Sequence, residues 1–142
     1  MNSYPSWWNT TITIFNKLKR ADSLTGKDVW YRTVITDAAW YSNVERNANA
    51  NSVFIGKYIK VLIPFHDNFL PYESWKNHGN QDTNYTMSIG DYIVRGEVTE
   101  DVTADNIVKV MQGYGDNVCL VKYKQEVHDR FGANVQLEVE GV

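Results

Sequence analysis

Ser52-Val53-Phe54-Ile55-Gly56-Lys57-Tyr58-Ile59-Lys60-Val61-Leu62-Ile63-Pro64-Phe65 decides the fold class. Val53, Ile55, Ile59, Val61 and Ile63 recur at a period of two, interrupted only by Lys57, which is the spacing of one apolar face on an extended strand. Pro64 has no N–H to give to a ladder, so the strand ends there. Upstream, Thr10 to Phe15 is β-branched and aromatic, and Asp28 to Thr36 and Ala38 to Val44 repeat that chemistry on either side of Asp37. Downstream, Gly90 opens a strand over Asp91 to Thr99, with Gly96 as a bulge or bend. Val135, Leu137 and Val139 alternate with Asn134, Gln136, Glu138 and Glu140, a half-buried pattern. Val118 to Val127 is its hairpin partner, turning through Asp129-Arg130-Phe131-Gly132.

One helix stands out, over about residues 103–113. Thr103 suits an N-cap, Asp105 suits the first turn, and Ala104, Ile107, Val108 and Met111 form one apolar stripe. Gly113 and Gly115 end it. The expected fold is therefore mainly β, a small barrel or sandwich with one short α-helix and long loops. The 142 residues fit a single domain, 1–142, large enough to bury a core without disulfide support.

Three stretches depart from the strand pattern. Residues 1–9 form an N-terminal arm containing Tyr4-Pro5-Ser6-Trp7-Trp8; two adjacent Trp on an extended arm cannot both face one core. Asn43 to Ser52, rich in Asn and Ala, reads as a long mobile hairpin tip. Residues 66–87 form a long interaction loop with little periodicity, yet they carry Phe69, Leu70, Tyr72, Trp75 and Tyr85. A structureless loop of that length is uncommon in a compact domain. It either orders on a partner or folds back over its own barrel.

Composition narrows the function. A formal charge of −3 argues against a nucleic-acid binder, which needs a basic surface. Cys119 is the single cysteine, so no internal disulfide forms; within Val118-Cys119-Leu120-Val121 it reads as a small buried hydrophobe. No apolar run approaches a membrane span, and Met1-Asn2-Ser3-Tyr4-Pro5 lacks the pattern of a secretory signal, so the expectation is assembly in the cytoplasm with no membrane.

No constellation of catalytic or ligand residues stands out. His66, His78 and His128 lack metal-site spacing; His66 with Asp67, or a His with Glu73, is a weak pair. The Gly-rich segments 113–116 and 90–96 do not join a strand to a helix as a phosphate cradle does. Glu97, Glu100, Asp101 and Asp105, and Glu138 with Glu140, read as solvated acidic faces and not as a glycosidase pair. The expectation is a protein that is not an enzyme, with no cofactor, no metal and no catalytic residue.

The order of segments resembles a family of small β-rich head–tail connector proteins encoded in phages and prophages. The resemblance rests on Thr11-Ile12-Thr13-Ile14-Phe15-Asn16-Lys17, on Val29-Trp30-Tyr31-Arg32-Thr33-Val34-Ile35 and on Tyr58-Ile59-Lys60-Val61-Leu62-Ile63-Pro64. It continues with Ser88-Ile89-Gly90-Asp91-Tyr92-Ile93-Val94-Arg95-Gly96-Glu97-Val98, the helix and the closing strand pair, and covers about residue 10 to the end. The resemblance implies a head-closure (stopper) component of the virion neck. Such a protein forms a homo-oligomeric ring of about six or twelve copies with heterologous interfaces. The ring joins portal and adaptor to the tail-terminator or tail proteins and retains packaged DNA, which passes through its channel without specific binding. On that reading Trp7, Trp8, Phe69, Leu70, Tyr72, Trp75 and Tyr85 are subunit-interface candidates, and Glu97, Asp101, Glu138 and Glu140 are channel-facing acidic candidates. The alternatives are a tail terminator, and a carbohydrate- or receptor-binding β-module that uses exposed Trp and Tyr as stacking platforms.

Overall fold

A computed structural model describes residues 8–49, 52–77, 79–128 and 134–142. Six antiparallel strands close into a barrel in the order β1-β2-β3-β6-β5-β4: β1 Thr10–Leu18, β2 Val29–Asn49, β3 Ser52–Pro64, β4 Tyr92–Arg95, β5 Val118–His128 and β6 Asn134–Gly141. Strands account for 47% of the chain, and the helices are short. This is the mainly β barrel that the alternating segments predict.

The barrel consists of two sheets that share β2 and β5 at their corners. In the first sheet, residues 29–38 of β2 pair with β1, β1 with β4, and β4 with residues 118–120 of β5. In the second, residues 39–49 of β2 pair with β3, β3 with β6, and β6 with residues 121–128 of β5. Asp37 therefore does not separate two strands. One 21-residue strand passes through it and changes sheets, with a register shift between Thr10 and Ile12 on its partner. Such irregularities are how a strand bends at a barrel corner.

The alternating positions meet inside. Ile12, Ile14, Ile35, Ala38, Ile59, Val61, Ile63, Ile93, Cys119, Val121, Leu137 and Val139 form one buried cluster, so Cys119 is the small core residue expected. Gly141 lies where β5 and β6 approach most closely: a Cβ there would stand 2.1 Å from the Leu120 carbonyl oxygen and 2.6 Å from Cys119 Sγ.

Two elements cover the barrel from outside. The first is the helix, and it is shorter than predicted: α2 spans Ile107–Gln112, after a turn over 104–106. Asn106 occupies the cap, its Oδ1 accepting from the Thr103 N–H at 2.7 Å. Ile107 and Met111 are buried against Phe15, Val94, Val98 and Val118, on the outer face of the first sheet. Val108, predicted in the apolar stripe, instead points outward at 58% exposure, and Val110 takes the packed position. Ala104 is exposed.

The second is the 66–87 segment, which folds back on its own barrel through the single-turn helix α1 (Tyr72–Trp75). Tyr85 and Met87 join the main core, and Phe69 packs on it. Trp75 is fully buried, with Nε1 donating to the Asn84 carbonyl oxygen at 3.1 Å and its ring edge-on to Tyr31. Its far end enters a buried polar node. There Asn16 Nδ2 donates to the Thr86 carbonyl oxygen (2.7 Å) and to Asp91 Oδ2 (2.9 Å), and Thr86 N–H donates back to Asn16 Oδ1. Ser88 and Asp91 are linked by a turn in which Gly90 takes φ 98°, the left-handed conformation glycine tolerates.

The Asn-rich stretch after Ser42 is the long hairpin tip expected, and it is strand-paired: the β2–β3 ladder continues from Asn43↔Tyr58 to Asn49↔Ser52. Residues 50 and 51, like the predicted 129–132 turn, lie outside the described residues.

Candidate functional site

The two sheets differ in what lies on their outer faces. Helix α2 buries that of the first sheet, whereas the second carries a row of side chains in direct register: Tyr41, Lys60, Glu140 and Tyr123, one from each strand in the order β2, β3, β6, β5. Residues directly opposite on antiparallel strands share a face. Tyr41, Tyr58 and Tyr123 are 46%, 40% and 45% exposed. The polar groups between them are paired. Lys60 Nζ lies 2.7 Å from Glu138 Oε1, and this carboxylate chiefly holds the ammonium above its ordinary pKa. Tyr58 is pushed up to about 12, first by its hydrogen bond with Glu140. The Tyr123 hydroxyl donates to Gln125 Oε1 at 2.9 Å. The result is an exposed face of rings with paired charges between them.

This sheet also has edges with no second strand partner among the described residues. There, residues 39–49 of β2 pair with β3, and β1 reaches as far as Thr10↔Ala38. Residues 122–128 of β5 have β6 as their strand partner and no second strand among the described residues. Beyond Ile59↔Gly141, β3 has no β6 partner either, so residues 43–49 and 52–58 form a two-stranded arm. At about 3.3 Å per residue it projects on the order of 20 Å.

The interface candidates from the sequence are dispersed. Trp7 lies outside the described residues, and Trp8 is half-buried. Trp75 and Tyr85 are core residues of this chain, which corrects their placement at a subunit interface: their rings are consumed in fastening 66–87 to the barrel. Phe69 is half-buried and edge-on to both Phe65 and Tyr85. Leu70 is half-buried, its N–H donating to the Tyr85 carbonyl oxygen. The Tyr72 hydroxyl donates to Asp22 Oδ2 (2.8 Å) and accepts from the Lys19 N–H. Burial is the first cause that pushes it up to about 12.

The acidic candidates separate into two places. Glu138 and Glu140 stand on the tyrosine face, engaged by Lys60 and Tyr58. Glu97 and Asp101 are exposed on the segment between β4 and α2. The structure does not bring the four into one row.

Sequence reasoning missed two polar sites. His66 pairs with Asp37 and not with Asp67: Nε2 lies 3.0 Å from Asp37 Oδ1, and Nδ1 lies 2.8 Å from the Tyr85 hydroxyl. Burial, then the Asp37 carboxylate, pushes the Tyr85 hydroxyl well above its usual range. Asp91 is the second. It accepts from Asn16 Nδ2, the Lys17 N–H and the Ser88 N–H, yet burial pushes it up to about 6 against those donors. Asp91 is buried, whereas the His66–Asp37 pair reaches the surface; both fasten 66–91 to the barrel. A cleft of about 500 Å³ lies between residues 22–25 and the 66–87 segment, with Leu24 on its rim. Among the described residues no group of three His, Cys, Asp or Glu is placed to hold a metal ion, and no helix is long and apolar enough to cross a membrane.

A family model described as a family of unknown function (DUF6751) matches residues 7–142. No curated protein matches, and no solved structure does.

Proposed function

The chain belongs to the DUF6751 family, and we propose that this member is a structural subunit of a phage neck, a head-closure component of the ring that joins head to tail. The observation that carries this reading is the two-stranded arm of residues 43–49 and 52–58, which outruns every neighbouring strand. An isolated two-stranded ribbon is marginal in water, so an arm of this kind gains most from a neighbouring subunit. The barrel with one short helix and long loops is also the architecture that the resemblance to stopper proteins implies. Helices of one and under two turns weigh against a tail terminator, which would need helices flanking a sheet. Glu97 and Asp101, with the more neutralised Glu138 and Glu140, suit a channel wall that DNA passes without adhering.

On this reading the gene lies in a phage or prophage, and removing it there tests the proposal directly. The expected result is filled heads that lose their DNA and fail to join tails. Intact infectious particles would overturn it. A second reading, a carbohydrate-binding module, is favoured by Tyr41, Tyr58 and Tyr123 on one flat face. A monomer that retains immobilised glycans, and loses them on Tyr41→Ala, would select that reading instead.

A further inference from the structure

The 66–87 segment is closed at its base. The Leu70 N–H donates to the Tyr85 carbonyl oxygen at 2.9 Å, the Tyr85 N–H donates to the Asn68 carbonyl oxygen at 3.0 Å, and Phe69 and Tyr85 form a parallel bridge. One side chain ties that base to the barrel. His66 stands between Asp37, where β2 changes sheets, and the hydroxyl of Tyr85, a core residue. Its two nitrogens play different parts. Nε2 lies 3.0 Å and 3.1 Å from the two Asp37 carboxylate oxygens, which only accept, so Nε2 carries a proton. In the neutral ring Nδ1 is then bare, and it accepts from the Tyr85 hydroxyl at 2.8 Å. Burial keeps that hydroxyl protonated well beyond its usual range.

We propose that His66 is a pH-sensitive latch on this segment: the neutral ring holds Tyr85 and Asp37 together, and the charged ring keeps Asp37 but releases Tyr85. A proton on Nδ1 sets a donor against a donor. Tyr85 must then turn its own O–H away, into surroundings where the residue is 1% exposed and Phe69 packs edge-on at 5.5 Å. The Asp37 side chain is 50% exposed, so what the charge adds on that side is a surface ion pair. Losing the acceptor of a buried donor outweighs strengthening an exposed pair. The His66 side chain is itself 26% exposed, so protons from solvent reach it. Asp37 and Tyr85 are the ionisable groups bonded to the ring. Asp67 beside it is exposed, and Lys124, on β5, is engaged by the Met87 carbonyl oxygen. The latch belongs to the single chain and goes beyond the ring reading above.

The place of the proton is read first, on the unaltered chain. The nitrogen NMR spectrum of the His66 ring at pH 8 is expected to show Nε2 protonated and Nδ1 bare, and the reverse tautomer would overturn the latch. Amide exchange, corrected for its intrinsic pH dependence, is then followed at Leu70 and Tyr85, whose N–H groups close the base. Between pH 8 and pH 5 their protection is expected to fall about tenfold relative to that of Ile14, a fully buried residue of β1. In Tyr85→Phe, which has no hydroxyl to strand, the fall is expected to vanish, although Asp91 still titrates there. Protection that stays level in the unaltered chain would overturn the proposal. So would an equal fall in both chains, which would assign the change to Asp91 or to another group that the two share.

Discussion

Residues 66–87 and residues 43–57 look alike in sequence, both polar and Asn-bearing between strong strands, yet they solve opposite problems. The first has no ladder of its own and is fixed by side chains: Trp75, Tyr85 and Met87 sink into the barrel, and Thr86 is clasped by Asn16. The second is held by backbone, rung against rung, beyond the last rung between β3 and β6. The difference teaches that order and self-sufficiency are separate properties. A segment anchored by buried rings satisfies itself, whereas a segment held only by its own ladder still has open edges.

The contrast can be broken from its strongest side. Trp75→Ala empties a fully buried site, and a loss of about 3–5 kcal/mol is expected, read as a fall in the urea midpoint. Should the loss be under about 1 kcal/mol, the segment is not held by its rings. Asp91→Asn comes next. Each Asp91 oxygen faces N–H donors, so the amide would turn its own NH₂ toward one of them, at about 1–3 kcal/mol.

The same group sets a pH dependence. Its folded value, about 6, lies above the ordinary 3.8, so the folded state binds the proton more tightly. Its contribution to stability is full below the ordinary value and is lost as pH rises through 6. Lowering pH from 8 to 5 should therefore raise the wild-type urea midpoint relative to that of Asp91→Asn, by about 1.4 kcal/mol in stability. A midpoint difference between the two that is flat over this range would place the carboxylate in an ordinary state.

At the root of the arm, Gly141 opposes Ile59, and Gly141→Ala forces a methyl onto the Leu120 carbonyl. Overpacking of about 1–3 kcal/mol is expected in thermal melts. The smallest effect sharpens the contrast most. Replacing 45–55 by a short turn should change monomer stability by no more than about 0.5 kcal/mol, because the rungs it removes lie beyond the last rung with β6, while abolishing assembly in native mass spectra.

The strands were legible because alternation is local: β1, β3, β5 and β6 each announce an inward face. What joins them was not. The 21-residue β2 reads as two strands because Asp37 interrupts the apolar run, while in the fold Asp37 sits at the sheet corner, between the rungs with β1 and those with β3, inside one continuous strand. The arm reads as a loose tip because Asn and Ala carry little strand propensity, while a partner strand in register supplies what propensity does not. Trp75 and Tyr85 look like exposed anchors because nothing along the chain tells which surface a ring meets. Val108 was misplaced by one helical step once Asn106, and not Thr103, capped the helix. The tyrosine row could not be read at all, since Tyr41, Lys60, Glu140 and Tyr123 become neighbours only through register.

An uncut strand from residue 29 to residue 49 has a mechanical meaning. Tension applied at the outer end along its axis is delivered as shear to all the rungs between its first half and β1, which share the load at once. A chain with a break at the corner would instead peel open one rung at a time. Pulled along this axis, the chain resists through the stiffest direction its hydrogen bonds possess.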